Sequence, residues 1–247
     1  MKKIESVSNP LIASLYKLHE KKYRDETRKF LIEGHHLVEE ANRTSGLEMV
    51  LIANENDAFS GVENILVTEA VINKLSFTKT PAGIIGVCSF FEEPKISGDR
   101  FLLLDNVQDP GNLGTLVRSA LGFGIDLVVL NSQSVDIYND KFIRSTQGSI
   151  FQIKILKADL NQVIRELKNS KVMIIGTSMG KHAPISELVP PKRYALLLGN
   201  EGQGVSEDLQ DLADQVTYIP MREKLESLNV AVAGSIIMCY LGGNLQK

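Results

Sequence analysis

Five short, near-continuous apolar runs constrain this chain more than any other feature: Phe101–Leu104, Leu127–Leu130, Val172–Ile175, Tyr194–Leu198 and Val216–Ile219. A strand with one wet face alternates apolar and polar residues. A run that is apolar throughout suits a strand covered on both faces, as in a parallel sheet flanked by helices. Helical stretches lie between the runs, near Leu113–Leu121, Leu160–Leu167 and Asp208–Leu212, and another closes the chain at Leu228–Leu241. Strand and helix in alternation predict a doubly wound α/β domain.

The N-terminal part reads differently. From about Asp25, Phe30, Leu31, Gly34, Leu37, Val38 and Ala41 recur at three- and four-residue steps, which predicts a helix ending before Thr44-Ser45-Gly46. A strand at Met49–Ile52, a short helix over Glu69–Leu75 opened by Thr68, and an apolar stretch Gly83–Phe91 complete a small α/β unit. The segment from Glu92 to Arg100 is polar and holds Pro94 and Gly98, as an exposed linker does. The expected organisation is therefore a smaller domain over 1–93 and a larger one over 98–247, which a length of 247 residues accommodates.

Composition excludes little: 43% hydrophobic and 23% charged residues are ordinary for a globular chain. A formal charge of -3 weighs against a polyanionic partner. However, residues 1–30 hold eight Lys and Arg against four Asp and Glu, so this end suits a phosphate backbone as well as an ordinary solvated helix face. Cys88 and Cys239 each lie in an apolar run, which fits buried thiols in a reducing compartment better than a disulfide. The sequence has no CxxC or His-Cys cluster that would suggest a metal. The N-terminus MKKIESVSNP lacks an apolar leader core, and no run approaches the roughly 18–20 apolar residues of a membrane span. The expectation is a cytoplasmic protein with neither metal nor membrane partner.

Open α/β sheets bind ligands beyond the carboxyl ends of their strands, so the loops there are the candidate sites. Gly122-Phe123-Gly124 resembles the start of a dinucleotide fingerprint but follows a helix and precedes a strand, the reverse of the required order. Gly199-Asn200-Glu201-Gly202-Gln203-Gly204 follows a strand but lacks the Lys and Ser/Thr of a phosphate loop, and Glu201 would repel phosphate. Gly176-Thr177-Ser178-Met179-Gly180 matches a serine-hydrolase elbow. The only later histidine, His182, is four residues on, and Pro184 stands where the elbow helix should run, so the reading favours a glycine-rich turn.

Three polar groupings remain. In the first, Asp105 to Ala120, Asn112 is a candidate N-cap, and Arg118 is either a surface arginine or a site residue. The second is Leu198 to Gly202, where Glu201 stands in a tight turn. The third is Ile219-Pro220-Met221 with Glu226 to Ala233, where Ser227 or Asn229 suits the cap of the last helix.

The three groupings share one order and spacing: Asn112-x-Gly114 with Arg118, then Gly199-Asn200-Glu201-Gly202-x-Gly204, then Ile219-Pro220-Met221 and Glu226-Ser227-Leu228-Asn229-Val230-x-Val232-Ala233. Together they resemble the three motifs of the SpoU (TrmH) RNA methyltransferases of the SPOUT superfamily, over nearly all of 101–241. Ser8-Asn9-Pro10 and Phe30-Leu31-Ile32-Glu33-Gly34 are similar to that family's accessory substrate-binding domain, which is L30e-like. Two positions depart from the pattern: Arg222-Glu223-Lys224 replaces a common glycine, and Ala231 stands where Ser is frequent.

The resemblance implies a parallel-sheet methyltransferase domain with a trefoil knot, a smaller α/β RNA-binding domain, and ribose 2′-O-methylation of RNA by S-adenosylmethionine. It implies ribosomal rather than transfer RNA as partner, a homodimer, and no metal. Arg118 takes the catalytic position, with Asn112, Glu201, Ser227 and Asn229 around it, while Thr177, Gly199, Ile219 and Leu228 hold the cofactor. Deprotonating a guanidinium is costly, so Arg118 is read as a phosphate and alkoxide binder rather than a base. A tRNA enzyme and an RNA-binding factor without catalysis are the alternatives.

Overall fold

The computed structural model describes residues 1–44, 46–178, 182–222 and 227–242. By their contacts these divide into two units, Met1–Glu92 with Ile137–Phe151, and Glu93–Asp136 with the chain from Gln152. In the first, chain order runs β1 (Lys2–Ile4), α1 (Pro10–Lys17), α2 (Lys21–Thr27), β2 (Lys29–Glu33), α3 (His35–Arg43), β3 (Leu47–Ile52), β4 (Glu63–Val67), α4 (Glu69–Leu75) and β5 (Ile84–Ser89). The sheet order is β1-β4-β3-β5-β2, with β1, β4 and β3 parallel and β5 antiparallel to both its neighbours.

The helix expected from Asp25 is instead α2, β2 and α3. Arg28 and Gly34 have φ of 56° and 102°, which break the helix on either side of Phe30-Leu31-Ile32. That run then pairs with β5 over five residues, from Lys29 opposite Ser89 to Glu33 opposite Ile85. Helix α4 forms as the sequence implies, with the Thr68 hydroxyl accepting from Val71 N at 3.4 Å. Asn9 caps α1 by accepting from Leu11 N at 2.9 Å, and Pro10 fills the first helical turn. Ile12, Leu15, Leu51, Ile65 and Ile85 meet in the core between helices and sheet.

The chain continues with β6 (Arg100–Leu104), α5 (Pro110–Gly122), β7 (Leu127–Leu130), α6 (Asp140–Thr146), β8 (Lys154–Lys157), α7 (Leu160–Asn169), β9 (Met173–Thr177), β10 (Ala183–Pro184), β11 (Tyr194–Leu198), α8 (Glu207–Gln210), β12 (Gln215–Tyr218) and α9 (Val230–Leu241). The segment carrying α6 belongs to the first unit although it lies beyond the polar linker. An aromatic cluster accounts for this: Tyr138 stacks on Phe90 at 3.6 Å, its hydroxyl accepts from Phe91 N at 3.0 Å, and Phe151 meets Phe91 edge-on.

The second unit is a seven-stranded parallel sheet in the order β10-β12-β9-β11-β6-β7-β8. The five apolar runs supply its middle; every residue of β11 and of β7 is buried. Strand β8, absent from the sequence reading, is an edge strand whose Lys-Ile-Leu-Lys pattern gives too short an alternation to stand out. Helix α7 buries Leu160, Val163, Ile164 and Leu167 against one sheet face. Helix α9 presses so closely on β11 and α5 that a Cβ on Gly234 would lie 2.5 Å from Leu198 Cδ1 and 2.6 Å from Leu116 Cδ2. Among the described residues no helix is long and apolar enough to cross a membrane.

Candidate active site

The carboxyl ends of β6, β9, β11 and β12 lie on one edge of the parallel sheet, and the turn after β11 is the tightest feature there. Asn200 N donates to Gly204 O at 2.9 Å and Gly204 N to Asn200 O at 3.0 Å, closing a five-residue loop. A Cβ on Gly199 would stand 2.0 Å from the Gly204 carbonyl carbon, so only glycine allows the clasp to close. The Asn200 side chain holds the loop's inside, accepting from Gly202 N at 2.9 Å and donating to Asn106 O at 2.9 Å. Asp105, buried at the end of β6, accepts from Ser206 N at 2.9 Å and from Asn131 Nδ2 at 2.8 Å, which ties this loop to its neighbours.

Asn112 is not the cap of α5. Asp109 caps it, accepting from Asn112 N at 2.8 Å, with Pro110 next, and this leaves the Asn112 amide free for other partners. Asn229 caps α9, its oxygen accepting from Ala231 N at 2.8 Å and Val232 N at 3.3 Å. With that oxygen occupied, Asn229 Nδ2 donates to Asn112 Oδ1 at 2.8 Å, and Asn112 Nδ2 donates to Glu201 Oε1 at 3.0 Å. The cap thus fixes the Asn229 amide, which with Glu201 fixes that of Asn112, and a one-way chain of donors ends on the Glu201 carboxylate. The three sequence groupings meet through these three side chains.

Glu201 also lines a cavity of about 480 Å³, within the usual range for small-ligand sites. Thr177, Gly199, Ile219, Leu228 and Ser227 line it too, whereas Asn112, Asn229 and Arg118 do not. The walls are mixed: Leu198, Ile219, Leu228 and Ile237 give apolar surface, and polar side chains such as Thr177, Ser178, Glu207, Gln210 and Arg222 stand among them. Two of these, Ser178 Oγ and Gln210 Oε1, are buried with no hydrogen-bond partner, as in a site shaped for a partly polar ligand. Ser178 drew notice in the sequence only as the serine of a rejected hydrolase elbow, and Gln210 was not singled out at all. A polar residue on the buried side of a short helix is the signal that marks Gln210.

Arg118 projects from α5 as an exposed side chain and makes no hydrogen bond or ion pair with any described residue. Helix α9 carries an exposed apolar stripe of Val232, Ile236 and Tyr240 at four-residue spacing, with Cys239 between them. Ser119 and Ser235 join α5 to α9 at 2.7 Å. Ala231 is buried in the first turn of α9 and keeps its cap bond; Arg222 lines the cavity, while Glu223, Lys224 and Glu226 lie outside the described residues. Met179 and Gly180 also lie outside them, and β10 occupies the stretch where a hydrolase elbow needs a helix. No cluster of metal ligands occurs among the described residues.

On the first unit, Tyr16, about half exposed, lies 5.0 Å from the ring of His19, which stacks on Phe77 at 4.3 Å. Lys74 Nζ sits 5.5 Å over the Tyr16 ring, and Lys17 and Lys22 flank Tyr23 at 5.3 and 5.7 Å.

The fold and its cavity define a parallel α/β protein that binds a small ligand at the carboxyl edge of its sheet. Residues 99–239 match the SpoU rRNA Methylase family, and residues 9–86 match the MRM3-like substrate binding domain. The chain belongs to the SpoU rRNA methylase family. It is 40% identical to 23S rRNA (guanosine(2553)-2′-O)-methyltransferase RlmP of Bacillus subtilis, over 98% of this chain and 100% of that protein. The AdoMet-bound rRNA methyltransferase of Sinorhizobium meliloti superposes with a TM-score of 0.89 at 28% identity, covering 100% of this chain and 99% of the other. The SpoU methyltransferase AviRb of Streptomyces viridochromogenes, in complex with AdoMet, shares the fold with a TM-score of 0.85 at 20% identity, over 95% of this chain and 97% of its own.

Proposed function

We propose that this protein transfers a methyl group from S-adenosylmethionine to a ribose 2′-hydroxyl of 23S rRNA. The observation that carries the reading is the donor chain Asn229, Asn112, Glu201, which brings all three family motifs to the rim of one cavity. The cavity fits the cofactor: its apolar wall of Leu198, Ile219, Leu228 and Ile237 suits a purine, Gly199 lets backbone approach closely, and the two unpartnered polar atoms await a polar ligand. Thr177, Gly199, Ile219 and Leu228 hold it. When bound, S-adenosylmethionine supplies a methyl group already activated on a positively charged sulfonium.

The protein's task is then to align the ribose oxygen and ease loss of its proton. Arg118 binds the adjacent phosphate and stabilises the developing alkoxide, while Asn112, Glu201, Ser227 and Asn229 position the ribose. Because Arg118 is exposed and outside the cavity lining, we place it in the site of a second copy, across a homodimer that covers the apolar stripe of α9. The strand order, with β12 beside β9 rather than β11, supports a knotted C-terminal segment. The first unit carries an L30e-like domain, expected over 1–93, that binds RNA; its Tyr16 ring beside the stacked His19 and Phe77, with flanking lysines, supplies ring faces and cations that suit unpaired bases. The identity to the Bacillus subtilis enzyme supports a guanosine of the large-subunit RNA as target and the cytoplasm as its place of action.

Mapping 2′-O-methylation across total RNA in a strain lacking the protein tests this. One guanosine of 23S rRNA is expected to lose its methyl group and regain it on complementation. A loss confined to tRNA, or none, would overturn the reading.

A further inference from the structure

Resting on that reading, we propose that Gln210 is a cofactor-binding residue, whose Oε1 accepts a hydrogen bond from a donor on the adenosine moiety, with the Ser178 hydroxyl as the second polar contact. Both residues line the cavity, and both atoms are buried without a partner among the described residues. Buried polar side-chain atoms are nearly always paired, so two orphans on side chains that line one cavity mark where a ligand completes the bonding.

The orientation of the Gln210 amide follows from its surroundings. Its Nε2 donates to Thr177 O at 3.4 Å. The flipped amide would set two oxygens against each other, so the oxygen is the atom left unpaired. The backbone fixes both residues: Gln210 N donates to Ser206 O at 2.9 Å, and Ser178 N donates to Thr217 O at 3.0 Å. Gly176 makes room for this arrangement, because a Cβ there would lie 3.2 Å from Gln210 Oε1 and 3.1 Å from Ala213 Cβ. An acceptor held this way requires an N–H or O–H on the ligand. The adenosine moiety offers both, in the purine 6-amino group and the ribose hydroxyls.

The test is calorimetric titration of the full-length protein with S-adenosylhomocysteine, alongside thermal unfolding without ligand. Gln210→Leu is expected to weaken binding about tenfold, as for one lost hydrogen bond, and Ser178→Ala to weaken it by several-fold. The unliganded protein should unfold at the parental temperature or above, because an unpaired buried acceptor has been removed. A residue with a merely structural role would lower that temperature and leave affinity unchanged. The parent should discriminate against the inosyl analogue, in which an oxo group replaces the 6-amino group, or against the 2′- or 3′-deoxy analogues. Gln210→Leu should lose whichever discrimination involves the donor bound by Oε1. Parental affinity in Gln210→Leu, or unchanged discrimination against every analogue, overturns the proposal. Failure of the parent itself to bind S-adenosylhomocysteine would instead refute the functional reading on which it rests.

Discussion

Replacing Gly199 by alanine puts a methyl group into the backbone of its own loop. The added carbon would stand 2.0 Å from the Gly204 carbonyl carbon and 2.1 Å from Gly204 O and Val205 N, where ordinary contact begins at 3.4 Å. None of these atoms belongs to a flexible side chain, so the loop itself must move. Keeping the loop closed costs about 1–3 kcal/mol of overpacking. Opening it loses the two bonds between Asn200 and Gly204, at about 0.5–1.5 kcal/mol each. Either way the loss is about 1–3 kcal/mol, which for a chain of this size lowers the melting temperature by roughly 2–12 °C. The larger effect falls on the ligand, because Leu198 to Val205 form one wall of the cavity. Calorimetry with S-adenosylhomocysteine should show affinity at least about tenfold weaker. Gly202→Ala is the control, since its Cβ would meet only Asn200 Oδ1 at 3.7 Å, and it should bind within a few-fold of the parent. Parental affinity in Gly199→Ala, or equal loss in both variants, would refute the reasoning.

Arg118→Ala should lower single-turnover methyl transfer by at least about 10²-fold while cofactor affinity stays within a few-fold, and Arg118→Lys should restore it only in part; turnover near the parental rate would make Arg118 an ordinary surface residue. Burial pushes the Cys88 thiol up, so it should resist thiol reagents until the protein unfolds, whereas exposed Cys239 should react in dilute protein and become protected as concentration rises and α9 pairs across the dimer; labelling rates independent of concentration would contradict the dimer. Burial works to raise the Glu48 carboxyl, but hydrogen bonds from Lys29 and Ser89 overcome it and hold the group below its ordinary range. Its stabilising contribution is therefore complete above the unfolded value of about 4.3 and lost as pH falls through the lower folded value. Glu48→Gln should flatten the acid side of the stability profile, and a profile parallel to the parent's would show the ion pair to be idle.

What was legible in the sequence was the part that local chemistry dictates. The continuous apolar runs became the buried strands of a parallel sheet, and Thr68 and Asn229 cap the helices that follow them. The single helix read from Asp25 was not there. Phe30 and Leu31 in a strand, followed by Leu37 and Val38 in a helix, reproduce a three- and four-residue rhythm by coincidence, and the left-handed turn at Arg28 has no residue-type signal. Asn112 was read as a cap because it is a good one. Pro110 was the better clue, since proline favours the first helical position and so points to Asp109 before it. The attachment of 137–151 to the first unit rests on Tyr138 meeting Phe90 and Phe30, a contact between residues far apart in sequence. Gln210 matches no motif, and its unpaired oxygen is visible only once the cavity has walls.

Alkali tests directly whether the methyl acceptor is a ribose 2′-oxygen. A 2′-hydroxyl is the nucleophile that cleaves RNA in base, so its methylation leaves the adjacent phosphodiester intact. The purified protein would be incubated with unmodified 23S rRNA and S-adenosylmethionine labelled in its methyl group, and the RNA then hydrolysed to completion in alkali. The label is expected in an alkali-stable dinucleotide, and Arg118→Ala should slow its appearance by at least about 10²-fold. Label recovered in mononucleotides would place the methyl group on a base and contradict the account.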